Sequence, residues 1–226
     1  MSNIGEFTGF PQTGLDFLGA LGTKNKTWFD ANRSIYDTDV APQSKAFAVE
    51  LGELLADRVS GGIDYLPKIN GSICRINNDL RFNPDVSPYR DYAMFKFWEG
   101  PDKKTAPMLW VRISPTDGVG FASGIALHKF DRWREAIDEH GEPFAVELDA
   151  LVRKTKADVA GEALKKVPKP YAQDHPRGDL LRHKGFQVRW MKKTPKVITT
   201  AKFADWCATE LERTTSIHKW LVAHLG

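Results

Sequence analysis

Residues 108–126 read MLWVRISPTDGVGFASGIA, and the fold turns on them. Leu109, Val111 and Ile113 alternate with Trp110 and Arg112, the two-residue period of a strand with one apolar and one polar face, so Met108 to Ser114 is expected as a strand. Asp117-Gly118 is a tight-turn pair, and Val119 to Ala126 returns as a second strand, giving an antiparallel hairpin. Outward from this hairpin, Ala93 to Trp98 and Phe186 to Met191 are further strands. Cys74, Ile76, Leu80 and Phe82 alternate with Arg75, Asn77, Asp79 and Arg81, which predicts another. Before these strands, apolar residues recur at helical spacing. Leu15, Leu18 and Leu21 follow Thr13 as a cap; a helix spans Lys26 to Asp37; another opens at Pro42 and runs through Phe47, Leu51, Leu55 and Val59 to Gly61-Gly62. After them come helices over Lys129 to Glu139, Pro143 to Lys154, Arg177 to Lys184, Thr200 to Arg213 and His218 to Leu225, with Val159 to Leu164 ambiguous. Helices, then strands, then helices describe an α+β fold, a central antiparallel sheet packed by N-terminal and C-terminal helices.

The chain has 226 residues, 42% hydrophobic and 27% charged, and no Pro/Gly/Ser-rich linker divides it, so residues 1–226 are expected as one domain. No apolar run approaches the roughly 20 residues of a membrane helix, and MSNIGEFTGF lacks the basic and apolar segments of a secretory signal, which predicts a cytoplasmic protein without a membrane partner. Cys74 and Cys207 show no metal spacing and are read as reduced packing thiols. The net charge of +3 conceals a gradient: Arg153 to Lys196 holds thirteen Lys/Arg against Asp158, Glu162, Asp174 and Asp179. A field for an anionic partner should originate there.

Two clusters are candidates for chemistry. If residues 75–81 are extended, Arg75, Asn77, Asp79 and Arg81 share one side. Asp79 would orient one guanidinium while the other offers its donor fork to a carboxylate or phosphate. The competing reading is a solvated ladder in which Asp79 merely holds both arginines. Adjacent strands would add Lys96, Trp98, Trp110 and Arg112, interleaving cations with aromatic plates suited to a planar anion. The second cluster runs from Asp174-His175-Pro176-Arg177 to Arg182-His183-Lys184, at the two ends of a short helix. Lys184 would extend the anion site, and His175 or His183, with Asp79, are the candidates for proton transfer because histidine titrates near neutral pH. The plainer reading of this cluster is helix capping.

Other signatures are missing. Gly118, Gly120 and Gly124 lie inside strand-like sequence and do not form a nucleotide loop; no nucleophile elbow, Walker loop or His-Glu-x-x-His occurs, so no cofactor and no metal site is expected. His218 and His224 are read as surface residues. No reaction follows from these residues. The expectation is a small anionic ligand held on the polar sheet face, the alternative a nucleic-acid or protein interaction module using the basic 153–196 surface.

The chain resembles a widespread conserved-hypothetical family of microbial and fungal proteins known only as a domain of unknown function. The resemblance is carried by Phe7-Thr8-Gly9-Phe10, Asn25-Lys26 with Trp28-Phe29, the block Arg75-Ile76, Asp79, Arg81-Phe82, Asp85, Pro88-Tyr89, and Asp174-His175-Pro176 with Leu180-Leu181. It implies a cytosolic α+β protein and no particular activity. Val86-Ser87 and Lys169-Pro170-Tyr171 depart from the family pattern, where a lysine and a glycine-tyrosine pair are usual.

Overall fold

The computed structural model describes residues 4–81, 85–126 and 130–226. Helices α1 (Gln12–Leu21), α2 (Lys26–Ala31) and α3 (Arg33–Ile35) lead through a π-helical turn, Tyr36–Val40, into α4 (Ala41–Arg58). Strands β1 (Ile63–Asp64), β2 (Ala93–Glu99), β3 (Met108–Ser114) and β4 (Gly118–Ile125) follow, then α5 (Phe130–Thr155), β5 (Asp158–Ala160), α6 (Gly178–Leu181) and β6 (Phe186–Lys192). A 3-10 turn, Lys196–Thr199, precedes α7 (Lys202–Glu212) and α8 (Thr215–Leu225). Among the described residues, six strands form one antiparallel sheet in the order β1-β2-β3-β4-β6-β5, so the fold is α+β.

The alternation in the hairpin decides which face is buried. Phe95, Phe97, Leu109, Val111, Ile113, Val119, Phe121, Phe186, Val188 and Trp190 all point to one side and are at most 3% exposed. Helices α7 and α8 lie against β4 on that side, α4 packs on α7, and α5 packs on α8. Phe47 joins the layers, its ring 4.8 Å from Phe95 and 5.5 Å from Phe203 of α7. Each such aromatic contributes about 1.5–3 kcal/mol by leaving water. At the other end Phe144 of α5 meets Phe186 and Trp220, at 5.1 and 4.5 Å.

Several elements differ from the sequence expectation. The stretch Arg75 to Arg81 is not a regular strand. Cys74 N–H donates to Met94 and Arg90 N–H to Ile76, and Ile73 and Asn77 form isolated bridges to Phe95 and Tyr89. Beyond them the polar side chains take over the backbone: Asn78 Nδ2 donates to the Ser87 and Tyr89 carbonyls, and the Asp79 carboxylate accepts from Arg81 N–H. Such local bonds compete with a ladder. Leu80, expected to face inward, is 39% exposed, and Phe82 lies outside the described residues.

The helix expected over Lys26 to Asp37 divides at Asn32, and Asn25 caps its first part by accepting from Trp28 N–H. Thr13 does not cap α1; its hydroxyl bonds Asp39. The two helices expected on either side of Pro143 are one, α5, which continues through the proline; one residue past the Glu139 carbonyl that Pro143 cannot bond, the His140 carbonyl also accepts the Trp220 indole N–H of α8 at 2.9 Å. His218 is not at the surface but fully buried, with Nε2 3.0 Å from Glu99 Oε2.

Candidate functional site

Helices α7 and α8 cover the apolar side at β4, and the opposite face, among the described residues, keeps Met94, Lys96, Trp98, Trp110, Arg112 and Gln187 partly exposed and Arg189 and Met191 exposed. Register places its side chains in rows across the strands. Lys96, Trp110, Ala122, Arg189 and Asp158 form one row, and Met94, Arg112, Gly120 and Met191 the next. The central strand β4 contributes only Gly118, Gly120, Ala122 and Gly124 to this face, while its neighbours contribute tryptophan, arginine and methionine. Tall walls on a low floor make a hollow of about 650 Å³, lined among others by Trp110, Arg112, Lys156, Asp158, Arg189 and Met191 over Gly120 and Ala122.

The backbone explains part of this floor. Gly118 has φ +101° and a Cβ there would lie 2.2 Å from the Lys192 carbonyl, and one on Gly124 would lie 2.1 Å from that of Phe186. Gly120 is different. A Cβ on it would meet mainly the end of the Met191 side chain, which is flexible and 48% exposed, so the strand itself does not demand glycine.

The arginines of the trough are held in place by acids. Arg112 Nη2 donates to Asp117 Oδ2 at 2.7 Å, which holds the Asp117 carboxyl below its usual range, and the guanidinium lies 4.3 Å from the Tyr92 ring centre. Arg189 donates through Nε and Nη2 to Asp158 Oδ2, at 3.0 and 2.8 Å. Exposed pairs of this kind add little to stability, but they fix the direction of the forks and leave other N–H groups pointing elsewhere. Lys156 leaves α5 with φ +57° and lines the same hollow with no acidic partner among the described residues.

The other expected site residues lie elsewhere. Arg81 is bound by Asp79 through Nε and Nη2, at 2.9 and 2.6 Å, with the arginine side chain 78% exposed. Asp79 is held below its usual range by that bond, Arg75 adds to the effect, and Arg75 and Asn77 are exposed. None of these four lines the trough. In the second cluster, His175 Nδ1 accepts from Arg177 N–H at 3.0 Å and Nε2 lies 3.0 Å from Asp138, so both ring nitrogens are engaged. Arg177 binds Glu142 and Lys184 binds Glu162. His183 is half-buried, which pushes its pKa down, and its Nδ1 has no hydrogen-bond partner among the described residues. The trough therefore unites Trp110 and Arg112, with Lys96 in the adjoining position, and leaves Arg75, Asn77, Asp79, Arg81, His175, His183 and Lys184 outside.

Arg189, Met191, Gln187, Gly120 and Lys156 escaped the sequence reading. The alternation Gln187, Arg189, Met191 was visible in the strand Phe186 to Met191. What was not visible is that this strand pairs with β4, whose small residues open the space beside it.

A family model described as a conserved hypothetical protein, DUF2461, matches residues 13–220. No match to the chain was found among the curated proteins or among the solved structures.

Proposed function

The chain belongs to the DUF2461 family of conserved hypothetical proteins, and because that membership names no chemistry, we propose a function from the trough itself: binding of a small planar molecule that bears a phosphate or carboxylate. The observation that carries this reading is the hollow over Gly120 and Ala122, walled by Trp110 on one strand and by Arg189 and Met191 on another. Trp110 offers a flat apolar plate. Arg112 and Arg189 offer oriented donors not engaged by Asp117 or Asp158, and Lys156 adds a point charge. Each charge-assisted contact supplies about 1.5–3 kcal/mol, so two or three outweigh the ordering costs of a small ligand. Asp158 is the carboxylate among the described lining residues and Arg189 engages it, which favours binding over proton-transfer chemistry.

The test is a thermal-shift screen with nucleotides, sugar phosphates and aromatic carboxylates on the wild type, Trp110→Ala and Gly120→Val. Gly120→Val fills the floor at the expense of a Met191 rotamer. The expected result is a ligand that raises the wild-type Tm and has no effect on either variant. No stabilising compound for the wild type, or an equal shift in Gly120→Val, overturns the reading.

A further inference from the structure

The trough occupies the middle of a larger surface. The open face spans about 24 Å at roughly 4.8 Å per strand, and the hollow uses its central and β5-side part. Toward β1 the same face continues with Lys96 and Trp98 of β2, which are partly exposed, and Lys103 lies with its Nζ 5.7 Å from the Trp98 ring centre. Trp98 pairs with Met108 and Lys96 with Trp110, so the two indoles stand on adjacent strands one diagonal step apart, about 7–8 Å between Cα atoms. A single small molecule lying over Gly120 and Ala122 leaves this second plate and its cations unused.

We propose that the open face binds a short single-stranded nucleic-acid segment, with one base on Trp110 in the trough and a neighbouring base on Trp98, its phosphates tracking Lys96, Arg112 and Lys156. This rests on the trough reading and names the chemistry of its ligand. Stacking platforms of this kind pair aromatic plates with a basic track, and they tolerate any base because every base has a π-face. The charge pattern fits such a strand. The two acids of these rows, Asp64 beside Trp98 and Asp158 beside Arg189, sit on the two edge strands, while the strands between them carry the tryptophans and basic side chains. A nearby acid outside the rows, Asp117, lies in the β3–β4 turn and is engaged by Arg112.

The experiment is fluorescence anisotropy with a labelled single strand of about eight nucleotides, alongside thermal shift with a nucleoside monophosphate. With about three phosphates neutralised, the wild type should lose about 20-fold in affinity for the strand between ~50 and ~200 mM salt. Trp98→Ala should weaken the strand by at least about 5-fold and leave the mononucleotide shift unchanged, because Trp98 lies outside the trough. Trp110→Ala should weaken both. A mononucleotide that stabilises the wild type while the strand fails to bind overturns this inference and leaves the trough reading standing; failure of both overturns this inference, and the trough reading falls with it only when the sugar phosphates and aromatic carboxylates of its own screen fail as well. Strand binding that Trp98→Ala does not alter, or a duplex bound as tightly as the single strand, also overturns the proposal, since paired bases cannot reach the indoles.

Discussion

The strand through Arg112 and the loop through Arg75 and Arg81 carry the same kind of pattern, apolar residues alternating with residues of a second, arginine-bearing set (Trp110 and Arg112; Arg75, Asn77, Asp79 and Arg81), and they meet different fates. Strand β3 has a hydrogen-bonded neighbour on each side, β2 and β4, and helices beneath. Its alternation is therefore converted into two faces. The 72–81 stretch has β2 on one side for a few residues only, and then Asn78 and Asp79 satisfy the backbone from their own side chains. Its arginine is matched to an acid two residues away instead of being displayed over a hollow. Alternation organises a site only where ladders on both flanks hold it.

The comparison is sharpest in stability. Phe121 lies under the trough, stacked 5.5 Å from Trp190 and the same distance from Trp206. Phe121→Ala should cost about 3–5 kcal/mol in urea unfolding, whereas Leu80→Ala in the loop should stay within about 0.5 kcal/mol. Similar losses at both positions would show that the loop is as deeply integrated as the sheet.

Binding separates the same two regions. For any compound that stabilises the wild type, Arg112→Ala should weaken affinity by about 10-fold or more and Arg81→Ala should leave it unchanged, by calorimetric titration. The reverse pattern would return the site to the loop.

Acid sensitivity should also belong to the packed region. Burial pushes the pKa of His218 below the ordinary 6.5, and His183 and His224 shift the same way. Between the native and unfolded values the unfolded chain binds more protons, so stability held above pH 6.5 is lost as pH falls through that value toward the native ones. A Tm–pH series should show this decline. His218→Gln, which keeps a donor for Glu99, should reduce its slope, while Asp79→Ala should not. An unchanged slope in His218→Gln would remove His218 from the account.

The smallest effect is at the loop's own ion pair. Asp79→Ala at neutral pH should leave stability unchanged within the error of a denaturant titration, because the ion pair is screened by solvent. A measurable loss would mean that Asp79 organises the 72–81 stretch as a whole.

Much of the fold was legible because period and punctuation are local. The hairpin over residues 108–126, its Asp117-Gly118 turn, and the helices α4, α7 and α8 follow from spacing that tertiary packing did not override. The exceptions have tertiary causes. Pro143 sits inside α5, which packs along α8, an element about 70 residues further on, where Trp220 bonds the His140 carbonyl. His218 looked superficial because its partner Glu99 stands 119 residues away.

The site was half legible for the same reason. Alternation assigned Trp110 and Arg112 to a polar face, since side-chain direction along a strand repeats every two residues whatever the neighbours are. That β6 lies beside β4, that Arg189 and Met191 therefore rise across from Trp110 and Arg112, and that Gly120 and Ala122 leave a hollow between them, was fixed only on folding. A cavity is a relation among strands distant in the chain, and no periodicity within one strand encodes which strand will stand next to it.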